Sequence, residues 1–359
     1  MPRPTYFWIV LSGLSRSLML FLLPLLIATT SFCVESINFS ATSDVLLPLE
    51  NVNVLITAPP SYATRLQDHL ESAGASVLSC PTVVTEFLPE SDKDYRRFFE
   101  IIKKIKDNYA VHDDSPKSEG AFNLSYDYVA FTSRRGIQAM LNVGGSSLVK
   151  CFQNQNPTAI ALGVDTEELV AAGVDRSVIL VPTTPTPDGI VEMLRSKMTK
   201  ESERNYQNDY NVEIRPLRIL CPVPKVLGGL TEPTVVPNFL SNLCSLGCVV
   251  DRLHAYVTRW TGPSNDAERI MQKLQEGSID VIAISSTAEV EGLKLFCREY
   301  HLDWDTFCST STHTTMVAAH GPVTAAGARA LGLPIHAVSK DSSSFAGMIG
   351  AVSECLNNL

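Results

Sequence analysis

The chain has 359 residues, of which 45% are hydrophobic and 19% are charged. This apolar fraction is enough to fill a large core, so a wholly disordered chain is excluded, and the length predicts about two domains. Asp and Glu number 38 against 29 Lys and Arg, a net charge of −9. A general nucleic-acid-binding protein, which needs a basic face, is therefore excluded.

The amino-terminal segment, residues 1–45, differs from the rest of the chain. It has no acidic residue before Glu35, and Arg3 precedes an apolar run, Leu18–Thr29. A basic start followed by an apolar stretch is typical of a targeting segment. Pro24 interrupts the run, which disfavours a spanning helix; a retained membrane anchor is the alternative. No second stretch of spanning length follows, so we expect the mature protein not to be embedded in a membrane.

From Asn53 onward, short apolar runs alternate with helical patterns. Residues 54–56 and the run at Val77 predict strands, and Arg65–Ala73 predicts a helix that ends at Gly74. Such an alternation predicts a parallel sheet with helices on its faces.

The order of these elements occurs twice in the chain. Four motifs have counterparts in the same order, separated by about 150 to 170 residues, as a duplicated domain-sized unit predicts. The pairs are Leu55–Pro59 with Ile219–Pro222, Tyr128–Ser133 with Val281–Ser286, Leu162–Thr166 with His320–Thr324, and Asp188–Leu194 with Ser344–Ile349.

Two stretches interrupt the repeated pattern. Residues 88–125 predict an amphipathic helix followed by a polar loop from Asn108 to Gly120. Residues 196–215 are polar and lack periodicity, so we expect an exposed insertion there.

Hydroxyl side chains occur where strands end and helices begin. The four strand-end hydroxyls are Ser133, Thr166, Ser285 and Thr324. Each could simply cap its helix by accepting an N–H bond. The same geometry also suits an anion, because helix N-termini carry free N–H groups and open α/β sheets bind ligands at the carboxyl ends of their strands. Four such places favour a carboxylate-bearing ligand.

Familiar catalytic and metal-binding motifs are missing. The sequence has no G-x-S-x-G, H-E-x-x-H, P-loop or G-x-G-x-x-G motif. Its nine cysteines are scattered, and Cys221, Cys297 and Cys308 lie in or beside apolar runs, which predicts buried free thiols. We therefore expect no metal, and any catalysis must depend on positioning and a weak acid.

Tyr256 lies just after the third strand of the second repeat, where the chain should cross between domains. A phenol at a crossover faces the cleft and can donate a hydrogen bond or act as a general acid. A packing or hinge role for this tyrosine is the alternative.

Over about residues 52–355, the sequence resembles the uroporphyrinogen-III synthase (HemD-like) family. The motifs that carry this resemblance are short, and their order and spacing make them specific. They are Tyr128–Ser133 with Arg135, Gly163 with Thr166, Ala255–Thr258, Ser285, Gly321–Ala326 and Leu331–Pro334.

The resemblance implies an α/β fold of two flavodoxin-like parallel-sheet domains joined by a two-strand linker. The first domain is discontinuous and is expected to hold residues 50–82 plus 257–359. The second domain is expected to hold residues 85–253, with the linker near 82–85 and 253–257.

The resemblance also implies an activity. The family substrate is hydroxymethylbilane, a linear tetrapyrrole rich in carboxylates, which loses its terminal hydroxyl as water, inverts its D ring and closes to uroporphyrinogen III without a metal or organic cofactor. By resemblance, Tyr256 assists departure of the hydroxyl, and the other assigned residues bind the substrate. These are the four strand-end hydroxyls Ser133, Thr166, Ser285 and Thr324, with Arg135 and Lys225 as carboxylate partners. For Arg135 and Lys225, a role as a surface residue is the alternative. We expect a monomer that contacts hydroxymethylbilane synthase transiently and binds no nucleic acid.

Three positions depart from the family pattern. Ala58 stands where many members carry Arg, and Arg134 and Ser286 replace a common Pro. A catalytically diverged tetrapyrrole- or anion-binding sensor protein is therefore the alternative function. The leader and the implied pathway predict a plastid location; a secretory or membrane-anchored protein is the alternative.

Overall fold

A computed structural model describes residues 47–110, 125–207, 215–308, 315–341 and 344–358 of the protein. The predicted leader, residues 1–45, and most of the predicted polar loop that follows Asn108 lie outside these ranges. Among the described residues, no helix is both long enough and apolar enough to cross a membrane.

The first sheet consists of five parallel strands. They are β1 (Asn53–Ile56), β2 (Ser76–Ser79), β8 (Val281–Ile284), β9 (Met316–Ala319) and β10 (Ala337–Val338), in the spatial order β10-β9-β8-β1-β2. The three central strands, β9, β8 and β1, are buried along almost their whole length. Continuous apolar runs such as Val281–Ile284 suit a parallel sheet covered on both faces.

The second sheet has mixed strand directions. Its strands are β3 (Val83–Phe87), β4 (Tyr128–Ala130), β5 (Thr158–Ile160), β6 (Arg218–Leu227) and β7 (Val249–Trp260), in the order β3-β7-β6-β4-β5. All pairs are parallel except β3 with β7, which is antiparallel.

Helices cover both sheets. Their bounds are α1 (Pro60–Ser72), α2 (Lys93–Ala110), α3 (Arg134–Gln153), α4 (Thr166–Ala171), α5 (Pro187–Gln207), α6 (Val235–Ser245), α7 (Asn265–Gln275), α8 (Thr287–Glu299), α9 (Trp304–Cys308), α10 (Pro322–Ala330) and α11 (Phe345–Leu356). The α/β fold class with parallel-dominated sheets is thus confirmed.

The chain contributes to the sheets in three sections. The first sheet takes strands from residues 53–79 and 281–338, and the second sheet takes all of its strands from residues 83–260. The chain passes between the sheets just before β3 and again after β7. The domain boundaries drawn from the resemblance stay a prediction.

Several local expectations hold. Gly74 ends the α1 region at a φ of +96°, a conformation that glycine adopts readily. The amphipathic helix expected after residue 88 is α2, which buries Phe98, Ile102 and Ile105. Cys221 and Cys297 are fully buried free thiols.

Two element boundaries were wrong. α1 begins at Pro60 rather than at Arg65, because proline fits the first turn of a helix, where no N–H partner is needed. Of the exposed insertion predicted over residues 196–215, residues 196–207 are the second half of the helix α5, and residues 208–214 lie outside the described ranges. The Lys, Glu and Met residues in this half of α5 favour helix, and Met198 packs on the core one turn after Leu194.

Candidate functional site at the strand ends

Ser133 lies three residues after the end of β4 and is the N-cap residue of α3. Its hydroxyl accepts a hydrogen bond from the Gly136 N–H at 3.2 Å, so it caps the helix as the sequence predicts. The cap is only part of its bonding, because the same oxygen lies 2.9 Å from the phenol oxygen of Tyr256. The structure therefore brings together two candidate residues that lie 123 positions apart in the chain.

Tyr256 lies in β7, paired with Phe87 of β3 and buried in the core of the second sheet. Burial raises the pKa of its phenol to about 12, and the negative charge of Asp165 adds to the rise. The hydrogen bond to Ser133 and the positive charge of Arg135 act in the opposite direction. The phenol is therefore protonated at neutral pH and can serve as a hydrogen-bond donor or weak acid.

Ser285 and Thr324 meet at the ends of β8 and β9 in the first sheet. The Thr324 hydroxyl donates to the Ser285 main-chain oxygen at 2.8 Å. The Ser285 N–H donates to the Glu289 carboxylate at 2.9 Å, and the Ser285 hydroxyl donates to the other oxygen of the same group. These two strand-end hydroxyls therefore form one cluster with Glu289.

Sequence reasoning missed Glu289, although the sequence held a signal for it. Ser286 and Glu289 have the S-x-x-E spacing of a helix N-terminus. The spacing could not indicate that the carboxylate would be fully buried. Burial raises the pKa of Glu289, and hydrogen bonds from Ser285, Thr57 and Ser286 oppose the rise.

Thr166 lies at the beginning of α4 and is almost fully buried. Its hydroxyl donates to the main-chain oxygen of Gly163 at 2.7 Å and accepts a long hydrogen bond from Arg176 at 3.4 Å. Because its single proton is already donated within the protein, this hydroxyl must exchange partners before it can donate to a ligand carboxylate.

Arg135 is fixed against the strand β3. One guanidinium nitrogen donates to the Thr85 main-chain oxygen at 2.6 Å, and the group lies 4.4 Å from the centre of the Phe87 ring. The guanidinium thus links the first turn of α3 to the strand that pairs with Tyr256.

Lys225 lies in β6 and is already neutralised. Its ammonium group donates to both oxygens of Asp92 at 2.7 Å and lies 3.1 Å from Asp94. The ion pairs raise the pKa of Lys225 and lower the pKa of each aspartate. A substrate carboxylate would have to compete with two carboxylates of the chain itself.

Arg134, one of the departures from the family pattern, forms ion pairs with Asp165 and Glu168 at 3.5 and 3.4 Å. Its charge also acts on Tyr62, in α1 beside the first sheet. Burial and the Glu289 carboxylate raise the pKa of the Tyr62 phenol, and the charges of Arg65 and Arg134 oppose that rise.

The fold and these contacts define an α/β protein with two parallel-dominated sheets and a polar candidate site at the carboxyl ends of their strands. Residues 230–349, about a third of the chain, match the family model described as uroporphyrinogen-III synthase HemD. The predicted resemblance to the HemD-like family is confirmed over this segment. Tyr256, Ser285 and Thr324 lie within the matched segment, whereas Ser133 and Thr166 lie before it.

Solved structures of uroporphyrinogen III synthases are also similar to this chain. A mutant of the Thermus thermophilus enzyme is 17% identical, with a TM-score of 0.49, and the match covers 86% of this chain and 100% of the other. The Helicobacter pylori enzyme is 10% identical, with a TM-score of 0.42 and the same coverage. No curated protein matches the chain.

Proposed function

We propose that this protein is a uroporphyrinogen-III synthase, which closes hydroxymethylbilane to uroporphyrinogen III with inversion of the D ring and loss of one water. The observation that carries the proposal is the hydrogen bond between the Tyr256 phenol and the Ser133 hydroxyl. It joins a weak acid to a strand-end hydroxyl, and Tyr256 lies within the segment that matches the family.

The proposed chemistry begins with departure of the terminal hydroxyl. The bond between carbon and the hydroxyl oxygen breaks, the oxygen takes a proton and leaves as water, and the pyrrole nitrogen stabilises the positive charge left on carbon. Tyr256 supplies the proton, directly or through the Ser133 hydroxyl. The cationic methylene carbon then bonds to the substituted α-carbon of ring D and forms a spiro intermediate. The bond from that α-carbon to its bridge from ring C breaks, the released bridge carbon bonds to the free α-carbon of ring D, and the proton lost from this ring carbon returns to the phenolate.

The rest of the proposed catalysis depends on how the protein positions the substrate. In this proposal the substrate lies between the strand ends of the two sheets, and its carboxylates contact helix N-termini on either side. The two sheets form the cores of two domains, divided as the resemblance implies, and closure around the bilane excludes water. The protein acts as a monomer without a cofactor, receives the bilane from hydroxymethylbilane synthase and works in a plastid.

A second candidate function is tetrapyrrole binding without cyclisation. It is favoured by the internal bonding of the candidate residues, because Lys225 is paired with two aspartates and the Thr166 hydroxyl bonds to the main chain. A protein of this kind would bind the bilane or a porphyrin and leave the product unchanged.

Product analysis distinguishes the two functions. Hydroxymethylbilane is generated in place by its synthase, the purified protein is added, and the oxidised uroporphyrin isomers are separated by chromatography. Without a cyclising enzyme the bilane closes spontaneously to isomer I. We expect isomer III in proportion to added protein; isomer I alone, from folded protein, would favour the binding function.

A further inference from the structure

Glu289 is fully buried in the first turn of α8 and accepts four hydrogen bonds. The donors are the Thr57 hydroxyl at 2.9 Å, the Ser286 hydroxyl at 3.0 Å, and both the N–H and the hydroxyl of Ser285. None of the ion pairs found in the described part of the chain includes Glu289. Burying a carboxylate without a cation is costly, which calls for a reason beyond stability.

Helix capping does not account for the arrangement. In a capping box the serine oxygen accepts an N–H bond from the first turn, and the glutamate bonds the N–H of the cap residue. Here the Ser286 hydroxyl donates to Glu289 and makes no capping bond. The carboxylate accepts instead from the N–H of Ser285, one residue before the cap. Glu289 therefore holds the main chain at the end of β8 and does not cap the beginning of α8.

The bonding of Ser285 determines what this residue can offer a ligand. Its N–H and O–H are both directed at Glu289, and its main-chain oxygen accepts from Thr324. A serine oxygen has two lone pairs, so the remaining capacity of the partly exposed side chain is as an acceptor, and a ligand donor would share this oxygen with the nearby Tyr62 phenol. An acceptor cannot bind a carboxylate, which is itself acceptor-only.

The turn that carries Glu289 is also fixed from the other side. The Thr82 hydroxyl donates to the Glu289 main-chain oxygen at 2.9 Å. One turn along α8, a Cβ on Gly292 would lie 2.7 Å from the Thr82 main-chain oxygen, so glycine lets the helix approach the crossing chain closely. The contacts of Thr82 with Glu289 and Gly292 thus fix the turn of α8 whose carboxylate orients Ser285.

We propose that Glu289 is a positioning residue that fixes Ser285 as a hydrogen-bond acceptor, so that the end of β8 recognises an N–H group of the ligand and not a carboxylate. Recognition of a pyrrole N–H rests on the proposed function. The hydrogen bonds by which Glu289 orients Ser285 do not depend on the proposed function.

The test compares Glu289→Ala with Glu291→Ala, a matched control on the same helix whose carboxylate accepts a single bond, from the Thr231 N–H. Thermal unfolding is followed with increasing sodium acetate, with sodium chloride keeping the ionic strength constant. Acetate can replace the missing carboxylate, so we expect a saturable rise in the Tm of Glu289→Ala by about 2–4 °C. The control should show no such rise.

The second readout is binding of uroporphyrin I, a porphyrin rich in carboxylates, followed by quenching of tryptophan fluorescence. Without Glu289 the Ser285 hydroxyl becomes a free donor and a negative charge is lost, so Glu289→Ala should bind the porphyrin at least about threefold more tightly than the wild type. Acetate should abolish this gain. A residue with only a structural role would not give an acetate-reversible change in affinity.

Each outcome is decisive. An acetate response no larger than that of Glu291→Ala overturns the positioning role, and unchanged, weaker or absent porphyrin binding overturns the acceptor role of Ser285. If Glu289→Ala is unfolded in chloride, recovery of folded protein in acetate is measured instead, and no recovery refutes the proposal. If the wild type forms no isomer III, the proposed function fails, while the acetate titration still decides the role of Glu289.

Discussion

Replacement of Tyr256 by phenylalanine tests the proposed acid directly. The change removes one oxygen atom and its 2.9 Å hydrogen bond to Ser133, and leaves the ring to fill the same buried space. Ser133 retains the N–H bond from Gly136, so its oxygen is not left without a partner. The expected stability loss is therefore that of one net hydrogen bond, about 1 kcal/mol, or about 2 °C in Tm.

The expected effect on catalysis is larger. General acid catalysis contributes at least about 10²-fold, so we expect Tyr256→Phe to lower kcat by about 10²-fold, which is about 2.7 kcal/mol of barrier. A protein that has lost about 1 kcal/mol remains folded at 25 °C, so unfolding cannot account for this loss. Because an acid must be protonated, and the pKa of Tyr256 is about 12, its contribution should persist throughout the neutral and mildly alkaline range.

Tyr126→Phe is the matched control. The Tyr126 phenol lies in the same hydrophobic core and donates to Asp251 at 2.8 Å, so the chemical change and the stability loss are similar. Its kcat for isomer-III formation should stay at the wild-type value. Wild-type kcat in Tyr256→Phe, or an equal loss in both variants, would refute the general-acid role.

Two further predictions concern packing and charge. Gly292→Ala should lower the free energy of unfolding, measured in urea, by about 1–3 kcal/mol, because its Cβ would lie 2.7 Å from the Thr82 main-chain oxygen. The control is Gly350→Ala, which has open space around its Cβ. Equal effects of the two substitutions would contradict the packing argument. Lys225→Met should lower the Tm at neutral pH. Lys225 lowers the pKa of Asp92 in the folded state. The ion pair therefore stabilises the protein fully above the unfolded pKa of Asp92, about 3.9, and this stabilisation is lost as pH falls through the folded pKa. A difference in Tm between the wild type and Lys225→Met that grows towards low pH would contradict this.

The sequence was most informative where local chemistry determines local structure. The apolar run Val281–Ile284 became a buried parallel strand, Gly74 took a positive φ, and Ser133 capped a helix. Each of these outcomes depends on residues within one turn or one strand. They could be predicted because the main-chain preferences of glycine, serine and β-branched residues act over short distances.

Contacts between distant segments could not be predicted in the same way. Lys225 looked like a free cation because its partners, Asp92 and Asp94, lie more than 130 positions earlier in the chain. The pairing of Ser133 with Tyr256 likewise depends on how β4 and β7 are arranged in the second sheet. Residue types and spacing identify candidates for such contacts, whereas strand order determines which of them meet.

The short strand β3, with the residue before it, contacts two groups of candidate residues, one around Ser285 and Glu289 and the other around Ser133 and Tyr256. Directly before it, Thr82 donates to the main-chain oxygen of Glu289 beside the first sheet. Within it, the Thr85 main-chain oxygen accepts from Arg135 and Phe87 pairs with Tyr256 in the second sheet. A segment of six residues thus contacts the groups that hold Ser285 and the groups that surround Ser133.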